Sequence, residues 1–459
     1  MFFSKIKLVI CFSLTLFFFC YNIKLGYVQI YLKTYNITNK EVLMPKIRIE
    51  GRHDLTGSIN ISGAKNSAVA LIPASILCDE VVKINNVPNI SDIDSLEEIL
   101  LSLNAKIDRE NDTVTIDSSN IINTAIEEEL SNKLRASYYF MGAMLGKFKK
   151  VDMYFPGGCS IGERPINLHL KGFSKLGAKI VEDGNHFLIE AKELKGSKIY
   201  LDIPSVGATI NIMLAAVKAK GKTVLENAAK EPEIVNVATF LNNMGAKISG
   251  AGTNVITIVG VDRLHSCFHE VIPDRIEAGT YLIIGALLGN NLSINNVIPS
   301  HLEALTSKLK EAGVDLRINE DNIVVSRGTN LKAINIETLV FPGFPTDLQQ
   351  IMVPFLTQCE GISRIRETIY ENRFRNIYDT VRMGADITVK NNEIAIIRGK
   401  TKLIGCDVTA TDLRGGASML VCGLIAEGVT TIDNIHYIER GYDDIIMKLS
   451  NVGAKIDLI

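Results

Sequence analysis

A short hexapeptide returns six times along the chain, and no other feature limits the possible folds as much. "LNAKID", "LGAKIV", "MGAKIS", "AGVDLR", "MGADIT" and "VGAKID" put Asn104, Gly177, Gly245, Gly313, Gly384 and Gly453 at the same point, 68 to 73 residues apart. Each copy follows an amphipathic stretch such as "VATFLNNM" or "LEALTSKLKEA". Most precede a turn and a second β-rich run, as in "NDTVTID", "TNVITIVG" and "EDNIVVSRG". The pattern predicts a helix closed by a left-handed residue, then a strand, a tight turn and a second strand.

A second repeat lies between these copies. "ASILCDEVVKINNV", "AAVKAKGKTVLENA", "GALLGNNLSINNV" and "CGLIAEGVTTIDNI" each read as a buried helix, a glycine or polar turn, and a strand. The whole unit is larger than the roughly 20–50 residues of a solenoid repeat. Six units therefore predict an α/β protein of two lobes, three units in each, with "VIPDRIEAGT" as the crossing between them.

The 459 residues leave room for that plan. Net charge is −2 and tryptophan is absent, so neither a basic field nor an indole platform points to nucleic acid. Eight cysteines are scattered without a C-x-x-C pair, as reduced thiols usually are. "HSCFH" (His265, Cys267, His269) has no second Cys/His pair at zinc spacing and reads as one face of a strand. No metal or cofactor is expected. At the N-terminus an apolar run from Leu8 to Tyr21 follows two lysines. It is short for a membrane span, which takes about 20 residues. A signal peptide, a membrane tether and a mis-called start ahead of Met44 all fit. A membrane partner follows only if the segment is real and retained. Globular patterning begins at "MPKIRIEG".

Charged residues gather at the loops. Lys65 and Asn66 sit among small residues before an apolar helix, and Arg135 opens "LRASYYFMGAML". "FPTDLQQ" places Asp347 where an N-cap usually stands. Asp412 and Arg414 precede paired glycines in "TDLRGGASML", and Arg440 precedes Gly441. "FPGGCSIGERP" carries Cys159 on a glycine-rich loop, five residues before Arg164. Lys65, Arg135, Arg164, Arg373, Arg414 and Arg440 thus recur at loop junctions of several units. If those junctions converge, they form a cationic cleft for a small molecule bearing phosphate and carboxylate.

"SGAKNSAVALIPASIL", "LRAS", "PGGCSIGERPINLHL", "PSVGATINIMLAA", "ENAAKEPEIV", "PDRIEAGT", "FPTDLQQ", "ENRF", "TDLRGGASM" and "ERGYD", in this order, resemble the UDP-N-acetylglucosamine enolpyruvyl transferases. The resemblance runs from about Met44 to Ile459. It implies the two-lobed enolpyruvyl transferase fold, an inside-out α/β barrel of six pseudo-repeated βα units. Residues 65–272 would form the N-terminal lobe carrying the Cys159 loop. Residues 44–64 and 273–459 would form the C-terminal lobe, and 1–43 would be a leader outside the core. The implied substrates are phosphoenolpyruvate and UDP-N-acetylglucosamine, in the cytoplasm, with the chain acting as a monomer and without a cofactor.

Roles follow by motif. The resemblance makes Cys159 the proton donor to the phosphoenolpyruvate methylene and the site of a covalent adduct. It also implies alkylation of Cys159 by the epoxide phosphonate fosfomycin. Asp347, matching the carboxylate at the sugar hydroxyl, and Asp412, matching an acid near the proton-transfer site, are the other implied catalytic residues. Lys65, Asn66, Arg164, Arg414 and Arg440 would hold phosphoenolpyruvate. Arg135, Arg164, Pro165, Ile166, Asn167, Leu168, Ser205, Val206, Asp347 and Ile369 would hold the UDP-sugar. Ile203 stands where some relatives carry lysine, and Tyr437 where histidine is common. Two other readings stay open: a 3-phosphoshikimate 1-carboxyvinyltransferase, and a non-catalytic regulatory paralogue.

Overall fold

All six copies of the hexapeptide are helix ends of one kind. In the third, the helix Pro232–Asn243 stops at Met244; the Gly245 amide donates to the Asn242 carbonyl at 2.9 Å and the Ala246 amide to the Leu241 carbonyl at 3.0 Å. The same pair of bonds recurs at Asn104, Gly177, Gly313, Gly384 and Gly453. Every one of these six residues has positive φ, from 68° at Asn104 to 109° at Gly384. This Schellman geometry needs a residue that tolerates the left-handed region, hence glycine, or asparagine in the first copy. The following Ala or Val is buried in each copy. The repeat is therefore a stop signal that also turns the chain back onto the core.

The computed structural model describes residues 45–157, 161–162 and 165–459, and the apolar N-terminal run lies outside them. Residues Lys46–Ile459 form one compact unit. Among the described residues, six helices are buried along most of their length: Lys65–Ala74, Tyr139–Phe148, Val206–Ala216, Arg275–Leu288, Thr346–Thr357 and Leu413–Ile425. Four of them were legible as the second sequence repeat. Tyr139–Phe148 and Thr346–Thr357 were not, because the turns that follow depart from its pattern. Lys149, not glycine, takes positive φ after the first.

Each unit then adds an outer amphipathic helix and three strands. Three such units close into a ring. The parallel fourth strand Lys198–Tyr200, which follows the second unit, joins the sheet of the third through Lys222–Glu226. Phe268–Glu270, after the third unit, returns to the first through Val81–Asn85. A bridge between Ile126 and Met153 links the first unit to the second. In the other ring Ile47–Glu50 pairs antiparallel with both Val429–Asp433 and Lys455–Leu458, and Ser58–Asn60 lies parallel to Leu292–Asn295. Residues near the start of the globular chain thus complete the last unit and close the C-terminal ring. Of the three residues in "HSCFH", only His269 lies on the strand, since pairing with Val81–Asn85 begins at Phe268.

Buried apolar side chains fall into two clusters, one from Ala64 to Val271, the other from Ile47 to Ile61 with Ile276 to Ile456. Two antiparallel segments cross between them. The Ala64 amide donates to the Ile272 carbonyl at 2.7 Å and the Asp274 amide to the Ser62 carbonyl at 2.9 Å. Gly63 sits at the closest approach, where a Cβ would lie 1.7 Å from the Asn86 carbonyl oxygen. Only glycine fits there.

Candidate active site

The crossing delivers Lys65 to the first position of its helix. The Lys65 backbone amide donates to Asp274 Oδ2 at 3.0 Å, while Asp274 Oδ1 caps the next central helix at the Ile276 and Glu277 amides. One carboxylate thus serves helix starts in both lobes. Lys65 Nζ pairs with Asp92 Oδ2 at 2.9 Å, and Arg440 Nε donates to Asp92 Oδ1 at 2.8 Å. Asp92 is only 4% exposed. Burial pushes its carboxyl up, but Lys65 and Arg440 outweigh that and hold it below the usual range. Gly441 leaves room for the Lys65 stem: a Cβ there would lie 3.2 Å from Lys65 Cδ and 2.6 Å from Leu413 Cδ2. Arg440 itself caps the C-terminus of the short helix His436–Glu439 and meets the site from there.

A second carboxylate lies in the C-terminal lobe. Asp347 stands in the first turn of Thr346–Thr357, where Pro345 occupies the cap position, so it is not the N-cap expected from sequence. Its Oδ1 accepts from Arg373 Nη2 at 2.5 Å. Its Oδ2 lies 3.5 Å from Arg414 Nη2 and 3.5 Å from Asn66 Nδ2. Arg373 and Arg414 are buried beneath it, over the rings of Tyr370 and Tyr442 at 5.5 Å and 5.4 Å. Asp347 keeps 30% of its side chain exposed. Partial burial raises its carboxyl, yet Arg414, Arg373, Lys65 and Arg275 hold it well below the carboxylate range. Arg373 Nε and Arg414 Nη1 are buried with no hydrogen-bond partner among the described residues. Buried donors in that state favour an arriving anion.

Asp412 is fully engaged. Its Oδ1 caps Leu413–Ile425 at the Arg414 and Gly415 amides, both at 3.1 Å. Its Oδ2 accepts from Gln350 Nε2 and Thr411 Oγ1, both at 3.2 Å. The geometry gives it the work of fixing the Arg414 backbone.

A third group gathers on the N-terminal lobe. Arg135 opens the 3₁₀ turn Arg135–Tyr138 and donates to the Pro156 carbonyl at 3.1 Å. Tyr138 meets His169 edge-to-face at 5.0 Å. Gly207 abuts both: a Cβ there would lie 2.7 Å from Tyr138 Oη and 3.0 Å from His169 Cε1. Three separate sequence runs therefore converge, at Arg135, at Pro165–Leu168 and at Ser205–Val206. Ile166 and Leu168 are buried, Pro165 and Asn167 exposed. Ser205 Oγ caps Val206–Ala216 through the Ala208 amide at 3.3 Å. Burial lowers His169 to about 3, so the ring beneath this group stays neutral.

Cys159 and Arg164 lie outside the described residues. Between them, Ile161 accepts from the Asn372 amide at 3.1 Å, and Gly162 packs against Glu371. The loop from the N-terminal lobe therefore touches the "ENRF" turn of the other lobe. Half-buried Ile369 belongs to the same turn, its amide donating to Glu367 Oε1 at 2.8 Å. Ile203 is 64% exposed, and Tyr437 packs on the C-terminal core.

Sequence reasoning missed Asp92 and gave Arg373 no specific partner. "SDIDSLEEIL" puts several acids at a helix start, which reads as ordinary dipole chemistry. No local signal separates Asp92 from Asp94, which pairs with Arg109 at the surface. Among the described residues no His/Cys/Asp/Glu cluster could hold a metal, and no helix is long and apolar enough to cross a membrane.

The model of the family described as EPSP synthase (3-phosphoshikimate 1-carboxyvinyltransferase) matches residues 49–449. A UDP-N-acetylglucosamine 1-carboxyvinyltransferase 2 of Bacillus subtilis is 51% identical over 414 residues, covering 90% of this chain and 96% of its own. The protein of that name from Listeria monocytogenes is 52% identical over 411 residues, covering 90% and 97%. The enolpyruvyl transferase NikO of Streptomyces tendae superposes with a TM-score of 0.82 at 25% identity, covering 91% of this chain and 99% of its own. EPSP synthase of Acinetobacter baumannii shares the fold, with a TM-score of 0.70 at 19% identity over 90% of this chain and 100% of its own. With two rings of three units, cations gathered at Asp92 and Asp347, and these relatives, the chain belongs to the EPSP synthase family, among its UDP-N-acetylglucosamine 1-carboxyvinyltransferases.

Proposed function

We propose that this chain transfers the enolpyruvyl group of phosphoenolpyruvate to the 3-hydroxyl of UDP-N-acetylglucosamine and releases phosphate, the first committed step of peptidoglycan synthesis. The observation that carries the reading is the set of cations from two lobes gathered around Asp347 and Asp92. Lys65, Arg440, Arg414 and Arg373 match a substrate bearing phosphate and carboxylate, and the unpartnered Arg373 Nε and Arg414 Nη1 supply donors for it. The group at Arg135, Pro165–Leu168 and Ser205–Val206 would take the UDP-sugar, with Ile369 across the cleft.

Chemistry then needs one proton put onto the methylene carbon and two taken off, from the sugar hydroxyl and from the new methyl group. Cys159 protonates the methylene carbon, and cationic charge develops at C2. The sugar 3-hydroxyl adds to C2 while its proton passes to Asp347. The tetrahedral adduct then expels phosphate, which leaves with the proton held by Asp347, and a proton of the new methyl group returns to the Cys159 thiolate, which restores the enol ether and both groups. Asp347 is a weak base while its arginines face it alone. The phosphate and carboxylate of bound substrate offset those cations and bring its pKa back toward a useful value. Asp412 acts by holding the Arg414 backbone, and Asn66 by orienting Asp347. The chain works as a monomer, without a cofactor, in the cytoplasm where its nucleotide-sugar substrate is made.

Phosphate release with phosphoenolpyruvate tests the reading, with UDP-N-acetylglucosamine and shikimate 3-phosphate offered separately. Release is expected with the nucleotide sugar alone. Release with shikimate 3-phosphate would make the chain a 3-phosphoshikimate 1-carboxyvinyltransferase. Substrate binding without release under either condition would make it a non-catalytic paralogue.

A further inference from the structure

Asp92 sits between two cations that the sequence places 375 residues apart, Lys65 and Arg440. Its carboxylate is buried, with one oxygen on Lys65 Nζ at 2.9 Å and the other on Arg440 Nε at 2.8 Å. Lys65 belongs to the helix leaving the crossing in the N-terminal lobe, and Arg440 to the C-terminal lobe. Neither cation is spent by the contact, since an ammonium has three donors and a guanidinium five. What the contact fixes is their separation and the direction of their remaining donors. Two like charges drawn onto one small anion would otherwise repel each other, and side chains this long carry considerable rotamer freedom.

We propose that Asp92 is a positioning residue for phosphoenolpyruvate. It clasps Lys65 and Arg440 across the two lobes, so that both cations are set for one anionic substrate before it arrives. The proposal rests on the reading of Lys65 and Arg440 as phosphoenolpyruvate-binding residues. Asp92 itself does not touch substrate: both its oxygens are taken and its side chain is buried. The predicted signature is a split between the two substrates, because the nucleotide-sugar group lies elsewhere on the N-terminal lobe.

The experiment is steady-state kinetics of Asp92→Asn, Arg440→Ala and the double variant, with melting curves for each. Asp92→Asn is expected to raise KM for phosphoenolpyruvate about 10- to 100-fold and leave KM for UDP-N-acetylglucosamine within about 3-fold. The double variant should lose clearly less than the sum of the two single losses, since Asp92 acts in part through that arginine and in part through Lys65. Asp92→Glu, which keeps the charge one methylene further out, should fall between wild type and Asp92→Asn; if Asp92→Asn does not fold, a rise of about 3- to 10-fold for phosphoenolpyruvate alone in Asp92→Glu carries the test. Equal effects on both substrates, full additivity in the double variant, or unchanged KM with only a lowered Tm would reduce Asp92 to a structural ion pair. Tighter phosphoenolpyruvate binding in Asp92→Asn would make it a competitor of the substrate and overturn the proposal too. Should Arg440→Ala leave phosphoenolpyruvate unaffected, the site assignment fails first, and separately.

Discussion

The two lobes repeat one unit three times each, yet they start their central helices differently. In the N-terminal lobe Ala64 and Tyr138 offer no side-chain cap, and Ser205 offers a neutral hydroxyl. In the C-terminal lobe Asp274 and Asp412 cap two helices with buried carboxylates, and Asp347 stands in the first turn of the third. Helix starts carry partial positive charge, so an acid there is favourable. The C-terminal lobe thus has its helix starts neutralised from within, and its acids also anchor Arg414 and Arg373. The N-terminal lobe leaves its starts to other partners: Asp274 from across the crossing for Lys65, and the loop groups at Arg135 and Ser205. One lobe supplies a locked electrostatic frame, the other the loops that complete it.

Removing the loop's chemistry should hurt most. Cys159→Ser is expected to cut turnover about 10²- to 10⁴-fold, the usual worth of a general acid, because a serine hydroxyl is a far weaker acid than a thiol. Fosfomycin should alkylate Cys159, faster with the UDP-sugar present, as mass spectrometry of the labelled peptide would read directly. Labelling at another cysteine, or near-normal turnover of the serine variant, would move the acid out of the N-terminal lobe.

Breaking the frame comes next. Asp347→Asn should lower kcat about 10²- to 10³-fold through loss of the base. Its low pKa also has a stability consequence with a definite sign. An unfolded aspartate titrates near 3.9. Stability from Asp347 is therefore present above about pH 4 and lost as pH falls below it. The acid limb of the wild-type rate in the free enzyme should show nothing of Asp347 above that pH. A limb near pH 5 to 6 that vanishes in Asp347→Asn would contradict the charge balance described. Arg440→Ala sharpens the contrast on a smaller scale. A charge-assisted hydrogen bond of roughly 1.5–3 kcal/mol corresponds to about 10- to 150-fold weaker phosphoenolpyruvate binding, with the UDP-sugar little changed. Titration calorimetry with each ligand separates this from a general loss of folding.

How far the sequence carried these features depends on how local they are. The Schellman ends at Gly177, Gly245, Gly313, Gly384 and Gly453 depend on a few neighbouring residues, so the six units were visible as a repeat. Lys65, Arg414 and Arg440 were visible as odd charges beside small residues. Asp92 was not, because its meaning depends on Arg440 in the other lobe. Asp412 looked like a candidate acid by motif, but its oxygens are occupied by two backbone amides and two side chains. Asp347 looked like a cap and is instead the acid over Arg373 and Arg414. Motif position alone cannot tell a capping carboxylate from an exposed one; only the set of donors around each oxygen does.

The one effect expected on stability alone, with no loss of activity, concerns the crossing itself, where the lobes again differ three residues past the helix cap. The N-terminal lobe has Ser67, buried and with its hydroxyl unpartnered among the described residues; the C-terminal lobe has Glu277. Glu277 Oε2 accepts from the Ser62 amide at 2.9 Å and Oε1 pairs with Lys448 Nζ at 2.6 Å. Lys448 also donates to Ser62 Oγ at 2.7 Å, and Ser62 Oγ donates to Asp443 Oδ2 at 3.0 Å. Burial pushes the Glu277 carboxyl up to about 7, against the pull of Lys448. An unfolded glutamate titrates near 4.3. Between these values the native state holds the extra proton, so stability is full below about pH 4 and declines as pH rises through about 7. The ceiling on that decline is about 3 to 4 kcal/mol, at 1.36 kcal/mol per pH unit, and corresponds to a few degrees of Tm in a large chain. Glu277→Gln keeps an acceptor for the Ser62 amide and removes the titration. Melting curves from pH 5 to pH 8 should therefore fall less steeply for the variant than for the wild type, whatever the absolute offset caused by leaving Lys448 without its counter-charge. Parallel curves would mean that Lys448 keeps Glu277 ionised throughout this range, and that the crossing is held by a permanent ion pair.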